Sequence, residues 1–130
     1  MIKAIPHTEV EVLLSKAQES GLELTGLSVY CLNLGLRPVE LLNALSIEVA
    51  RRFVLGEMPY AVGDDIMNGL FTAIFDVGME EVMPQPAFNI YLAIDEGEYQ
   101  HLGDSDHIAP SERYSRPYLV EMLRGLVDIA

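Results

Sequence analysis

The chain has 130 residues, with 8 Lys and Arg against 20 Asp and Glu, a formal charge of −12 and one cysteine. That length suits a single helical domain over 1–130 with its own hydrophobic core. A field of this sign repels phosphate backbones and anionic membrane surfaces, so neither nucleic acid nor membrane is an expected partner.

The first element is expected at "PHTEVEVLLSKAQESG". Thr8 and Glu11 have capping-box spacing, Val10, Leu13, Leu14 and Ala17 make one apolar stripe, and Gly21 supplies a stop. "LTGLSVYCLNLG" fits two structures. Leu27, Tyr30 and Leu34 have helical spacing with Gly35 placed as a C-terminal cap, while Val29, Tyr30 and Cys31 favour a strand. Helix is the expectation here, with a short strand near 27–33 as the alternative.

"RPVELLNALSIEVARRFVLG" is the clearest helix. Pro38 suits the first turn. Leu41, Leu42, Leu45, Val49, Ala50 and Phe53 form a wide apolar face, Glu48 and Arg52 pair at i,i+4, and Gly56 follows. Pro59 opens "PYAVGDDIMNGLFTAIFDVGMEE", with Val62, Ile66, Leu70, Ala73, Ile74 and Val77 inward and Asp65, Asn68, Thr72 and Asp76 outward. Gly63 and Gly69 each cost about 1 kcal/mol inside a helix, which suggests close helix approach at both. Asp64 and Asp65 are read as helix-dipole partners near the N-terminus.

"QPAFNIYLAIDEG" is expected to be a short helix with Phe88, Tyr91, Leu92 and Ile94 inward, or a strand near 88–94. A loop from Glu98 to Pro110 precedes a last helix starting near Pro117. The fold class is therefore all-α, a compact bundle of five to six short helices, with α+β as the alternative.

Functional signals are sparse. Between Arg52 and Arg113 lie 60 residues with 12 carboxylates and no Lys or Arg. Within them "AIDEGEYQHLGDSDH" gathers five carboxylates and two histidines. Glu98, His101, Asp104 and His107 are the candidate metal ligands for a metal protein or small metal-dependent enzyme. Their order matches no standard zinc, calcium or di-iron pattern, so no metal or cofactor is assigned. Cys31 sits in an apolar run with no cation nearby to lower its pKa, and no catalytic set is assigned. The G-x-S-x-G elbow, the phosphate-cradling glycine loop and the dinucleotide fingerprint are all missing from the sequence.

What the charge pattern favours is a basic partner. The expected function is a protein–protein interaction module, either an adaptor or a neutralising, immunity-like partner of a basic protein. Asp95, Glu96, Glu98, Asp104, Asp106, Arg113 and Tyr114 are its candidate contact residues. Arg113 and Arg116 have a competing use, pairing with the acidic loop to pin the last helix. Apolar residues with glycine slightly exceed the usual share of roughly 45–50%. A homodimer through the charge-balanced residues 1–52 would cover that surface, so a self-associating structural domain is a further reading. One cysteine permits no intramolecular disulfide. There is no basic-plus-apolar leader pattern, and no uncharged run exceeds 13 residues, so a soluble cytoplasmic protein is expected.

Overall fold

Six stretches with apolar residues at helical spacing are α-helices in the computed structural model, which describes residues 5–129. Residues 1–4 and 130 of the expected domain lie outside the described residues. The helices are α1 (His7–Ser20), α2 (Leu24–Leu34), α3 (Pro38–Val54), α4 (Tyr60–Glu80), α5 (Ala87–Asp95) and α6 (Arg116–Ile129). Between α5 and α6 come a 3-10 turn (Glu96–Glu98) and a π turn (Ser111–Ser115). No strand occurs among the described residues, so 27–33 and 88–94 are both helical.

In α2 the helical period wins because Leu27 and Cys31, four apart, are both buried. Strand alternation would have buried Val29 with them, yet Val29 is 57% exposed. Gly35 ends the helix at φ 68°, in the left-handed region glycine adopts freely, and donates its N–H to the Cys31 carbonyl.

The two longest helices, α3 and α4, form the centre. From α3, all six expected apolar residues are buried, joined by Ser46. From α4, Ile66, Leu70, Ala73, Ile74 and Val77 are buried with Met67, while Asp65, Asn68, Thr72 and Asp76 point outward. Leu13, Leu14 and Ala17 of α1 pack on α4. Ile90 and Ile94 of α5 and Leu119 of α6 complete the same cluster. Of the two α4 glycines expected at close approaches, only Gly69 is at one. A Cβ there would lie 1.9 Å from the Ala17 carbonyl oxygen. At Gly63 it would meet Val49 at an ordinary 3.5 Å.

Two local expectations fail. Thr8 caps nothing: α1 begins at His7 behind Pro6, with no side-chain cap. Glu11 instead pairs with Arg52 of α3, extending the Glu48–Arg52 pair into a network with Arg51. In α5 the buried residues are Ala87, Ile90, Ala93 and Ile94, whereas Phe88 and Tyr91 are half-buried and Leu92 is 42% exposed. The 3.6-residue period groups 87, 90 and 94 on one face and rotates the larger side chains toward the surface.

The last helix is pinned by Arg116. Its guanidinium stacks 4.4 Å from the Phe53 ring and donates to the Val54 carbonyl at 2.9 Å and the Phe53 carbonyl at 3.3 Å. A cation on the last carbonyls of α3 complements that helix's dipole. No described helix is long and apolar enough to cross a membrane.

Candidate functional site

Gly97 organises the acidic segment. It is buried, and a Cβ on it would lie 2.4 Å from Ser115 Oγ and 2.8 Å from the Ser111 Cα. Only a glycine lets the 3-10 turn press against the π turn. Ser115 Oγ then donates to the Ala93 carbonyl at 2.7 Å, continuing α5 into this junction. The glutamates flanking Gly97 consequently reach different neighbours.

Glu96 turns toward the loop. His101 Nε2 lies 3.0 Å from Glu96 Oε2, within ion-pair reach though off the line of a hydrogen bond. The imidazole sits beside both Tyr99 and Tyr114, with ring centroids 4.7 and 4.2 Å away. Beneath it Asp104 accepts the Tyr114 hydroxyl at 2.6 Å and the His101 backbone N–H at 2.9 Å, with Arg113 Nε 3.8 Å off. The Tyr114 hydrogen bond, then the His101 N–H and the charges of Arg113 and His101, hold the Asp104 carboxyl below its ordinary range against the opposing effect of desolvation. Asp104 thus ties Tyr114 and the His101 backbone together and closes the loop on the π turn, while Arg113 Nε, buried without a hydrogen-bond partner, adds charge alone. Arg116 departs from the expected pairing with the acidic loop; its carboxylate partner is Glu112, at 2.5 Å. Asp106 and His107 are exposed at the loop tip.

Glu98 faces the other way, toward α4. It shares a hydrogen bond with Asp64, and Asp95 stands close to both. Burial, the bond to Glu98 and the charges of Glu98, Asp65 and Asp95 push the Asp64 carboxyl up to about 7. Asp95 is raised for similar reasons, burial first and then the charges of Glu98 and Glu96. No cation pairs with these three carboxylates among the described residues. Tyr60 lies beneath them and donates its hydroxyl to the Ile94 carbonyl. Burial and the same carboxylates raise its pKa and that of Tyr91.

Tyr91 links this cluster to an aromatic row. Its ring stacks on Phe71 at 4.5 Å, and Phe71 lies 6.0 Å from Phe75, which is 46% exposed. On α4 the positions Asp64, Phe71 and Phe75 follow i, i+7, i+11, one shoulder of the helix. On α5, Phe88, Tyr91 and Asp95 follow i, i+3, i+7. Two shoulders meet in one surface, aromatic at one end and triply carboxylated at the other.

Of the expected contact residues, the structure brings Asp104, Arg113 and Tyr114 into the loop clasp with Glu96, and Asp95 and Glu98 into the α4 cluster. It leaves Asp106 apart. Asp64, Phe71, Phe75 and Tyr91 were not among the sequence candidates. The macrodipole account of Asp64 also fails, because α4 begins at Tyr60 and has no acid in its first turn. As for the metal reading, Glu98 and His101 belong to different clusters. Among the described residues no group of three or more His, Cys, Asp and Glu could hold a metal ion. Cys31 is buried, and burial together with Glu40 raises its thiol pKa, the opposite of what a nucleophile needs. Comparison with protein-family models, curated proteins and solved structures finds no match.

Proposed function

We propose that the chain is a protein–protein interaction module whose acidic half engages a basic partner, as an adaptor or a neutralising, immunity-like protein does. The observation that carries this reading is the cluster of Asp64, Asp95 and Glu98. Three carboxylates from two helices and a turn come together with no cation paired to them among the described residues, and their mutual repulsion and burial raise the proton affinity of Asp64. Crowding of this kind is relieved by a cation from outside, and interfacial charge arranged this way sets orientation and association rate.

The test compares, at pH 8.5 where Asp64 is ionised, two variants that each turn three carboxylates into amides. Asp64→Asn, Asp95→Asn and Glu98→Gln together should weaken binding of a lysine-rich peptide and flatten its dependence on salt. Glu9→Gln, Glu19→Gln and Glu23→Gln together should leave both nearly unchanged. Equal effects from the two triples would show only a diffuse field and would refute the reading.

A second reading, self-association through α2, has its own support. That helix carries no charged side chain, and Leu32 on it is 84% exposed and Val29 57%. Two copies of a chain with net charge −12 could meet there without bringing carboxylates together.

A further inference from the structure

We infer that the shared shoulder of α4 and α5 is a docking groove for a basic amphipathic helix of a partner protein, with the partner's apolar face on the Phe75–Phe71–Tyr91 row and a Lys or Arg at one end on Asp64, Asp95 and Glu98. This rests on the reading of the chain as a module for a basic partner and adds where and in what form that partner binds.

Three features of the surface select this occupant. The row is apolar and remains open to solvent, with Phe75 46% exposed and Phe71 and Tyr91 half-buried. Aromatic side chains on rigid helices supply large contact area at little entropic cost. The second feature is length. Asp64 and Phe75 stand eleven positions apart on one helix, about 16 Å at 1.5 Å per residue, which matches roughly three turns of a helix laid alongside. The third is the ordering of chemistry along that length: apolar from Phe75 to Tyr91, then anionic. A helix with apolar residues at i, i+3, i+4 and i+7 and a cationic terminus complements both parts in one orientation only. Nucleic acid offers no such face and is repelled by the three carboxylates. A second copy of this chain offers few cations, with only 8 Lys and Arg in the sequence against 20 acids. Arg52 and Arg116 are moreover held internally by Glu11 and by the end of α3.

The experiment uses the full chain and two 14-residue peptides of identical leucine and lysine content. One has leucines at helical spacing; its isomer is scrambled so that no apolar face forms. Fluorescence anisotropy is read at low and moderate salt for wild type, Phe75→Ser, Val12→Ser and the Asp64, Asp95 and Glu98 amide triple. The inference expects the patterned peptide to bind about tenfold more tightly than its isomer. Phe75→Ser should abolish that preference, and Val12→Ser, which removes a similarly exposed apolar side chain from α1, should not. If both peptides bind equally and only the amide triple weakens them, the groove is refuted while the basic-partner reading stands. If neither peptide binds, both are refuted. A wild-type dimer that Phe75→Ser dissolves would show a second copy on the row and would likewise overturn the inference.

Discussion

Replacing Gly69 by alanine tests the packing that sets α4 in place. A Cβ at this position would lie 1.9 Å from the Ala17 carbonyl oxygen and 2.7 Å from its carbon. Side-chain carbons are not found closer than 3.0 Å to such atoms, so α1 and α4 must part by more than 1.1 Å, the difference of those two distances. The obstacle is main chain, which cannot rotate aside. The same oxygen accepts the Gly21 N–H, and the Gly69 carbonyl accepts the Leu22 N–H at 2.9 Å, so parting the helices also strains the α1–α2 turn. Overpacking of this kind costs about 1–3 kcal/mol, and the propensity gain of alanine over glycine returns about 1. With backbone as the obstacle the cost sits at the upper end, for a net loss of about 2 kcal/mol. Gly63→Ala has the opposite sign. Its Cβ would meet Val49 and Met58 at 3.5 and 3.6 Å, ordinary contact, so it should stabilise by about 0.5–1 kcal/mol. Urea denaturation followed by circular dichroism measures both. A Gly69→Ala protein as stable as wild type, or a Gly63→Ala protein that loses as much, would refute the helix spacing argued above.

The remaining predictions concern charge and surface. Asp64 has a folded-state pKa of about 7, above its ordinary 3.8, so the folded chain binds the extra proton between those values and stability falls as pH rises from about 4 through 7. Asp64→Asn should remove that slope and stabilise the protein at pH 8 by about 1 kcal/mol, less than the full pKa difference implies because the group is partly in solvent; an unchanged pH profile in thermal melts would count against the carboxyl pair. Asp104 behaves oppositely. Its pKa is depressed, so its contribution is present above the ordinary carboxylate range and lost as pH falls through the folded value. Tyr114→Phe should therefore speed amide exchange across residues 99–110 at neutral pH, whereas equal exchange in the two proteins would mean the Asp104 hydrogen bonds do not hold the loop. Self-association through α2 predicts a dimer at both about 0.02 M and 0.5 M salt that Leu32→Glu dissolves; a monomer at every concentration in sedimentation removes that reading.

Local periodicity carried most of the helical architecture. Leu41 through Phe53 and Ile66 through Val77 are long stripes whose burial follows from spacing alone. In the shorter α5, size misled. Phe88, Tyr91 and Leu92 suggested a core, but nine residues give one buried face and Ile90 and Ala93 occupy it. The Thr8–Glu11 capping box failed because Arg52, 41 positions along the chain, is a stronger partner for Glu11 than a backbone amide. The candidate site was half legible for a related reason. Asp104, Tyr114 and Arg113 are close in sequence, so a loop closing on itself was foreseeable. Asp64 and Glu98 are 34 residues apart and meet only because α5 runs back along α4. No local pattern announces that encounter, and the aromatic row beside it needs two helices to be seen.

The most direct test of the account is a nitrogen–proton NMR titration of the full chain with the leucine–lysine helical peptide. The account predicts shifts concentrated on α4 from Asp64 to Phe75, on α5 from Phe88 to Asp95 and at Glu98, with α1 and α2 silent. Shifts spread evenly over the carboxylates of the whole surface, or centred on α2, would contradict it.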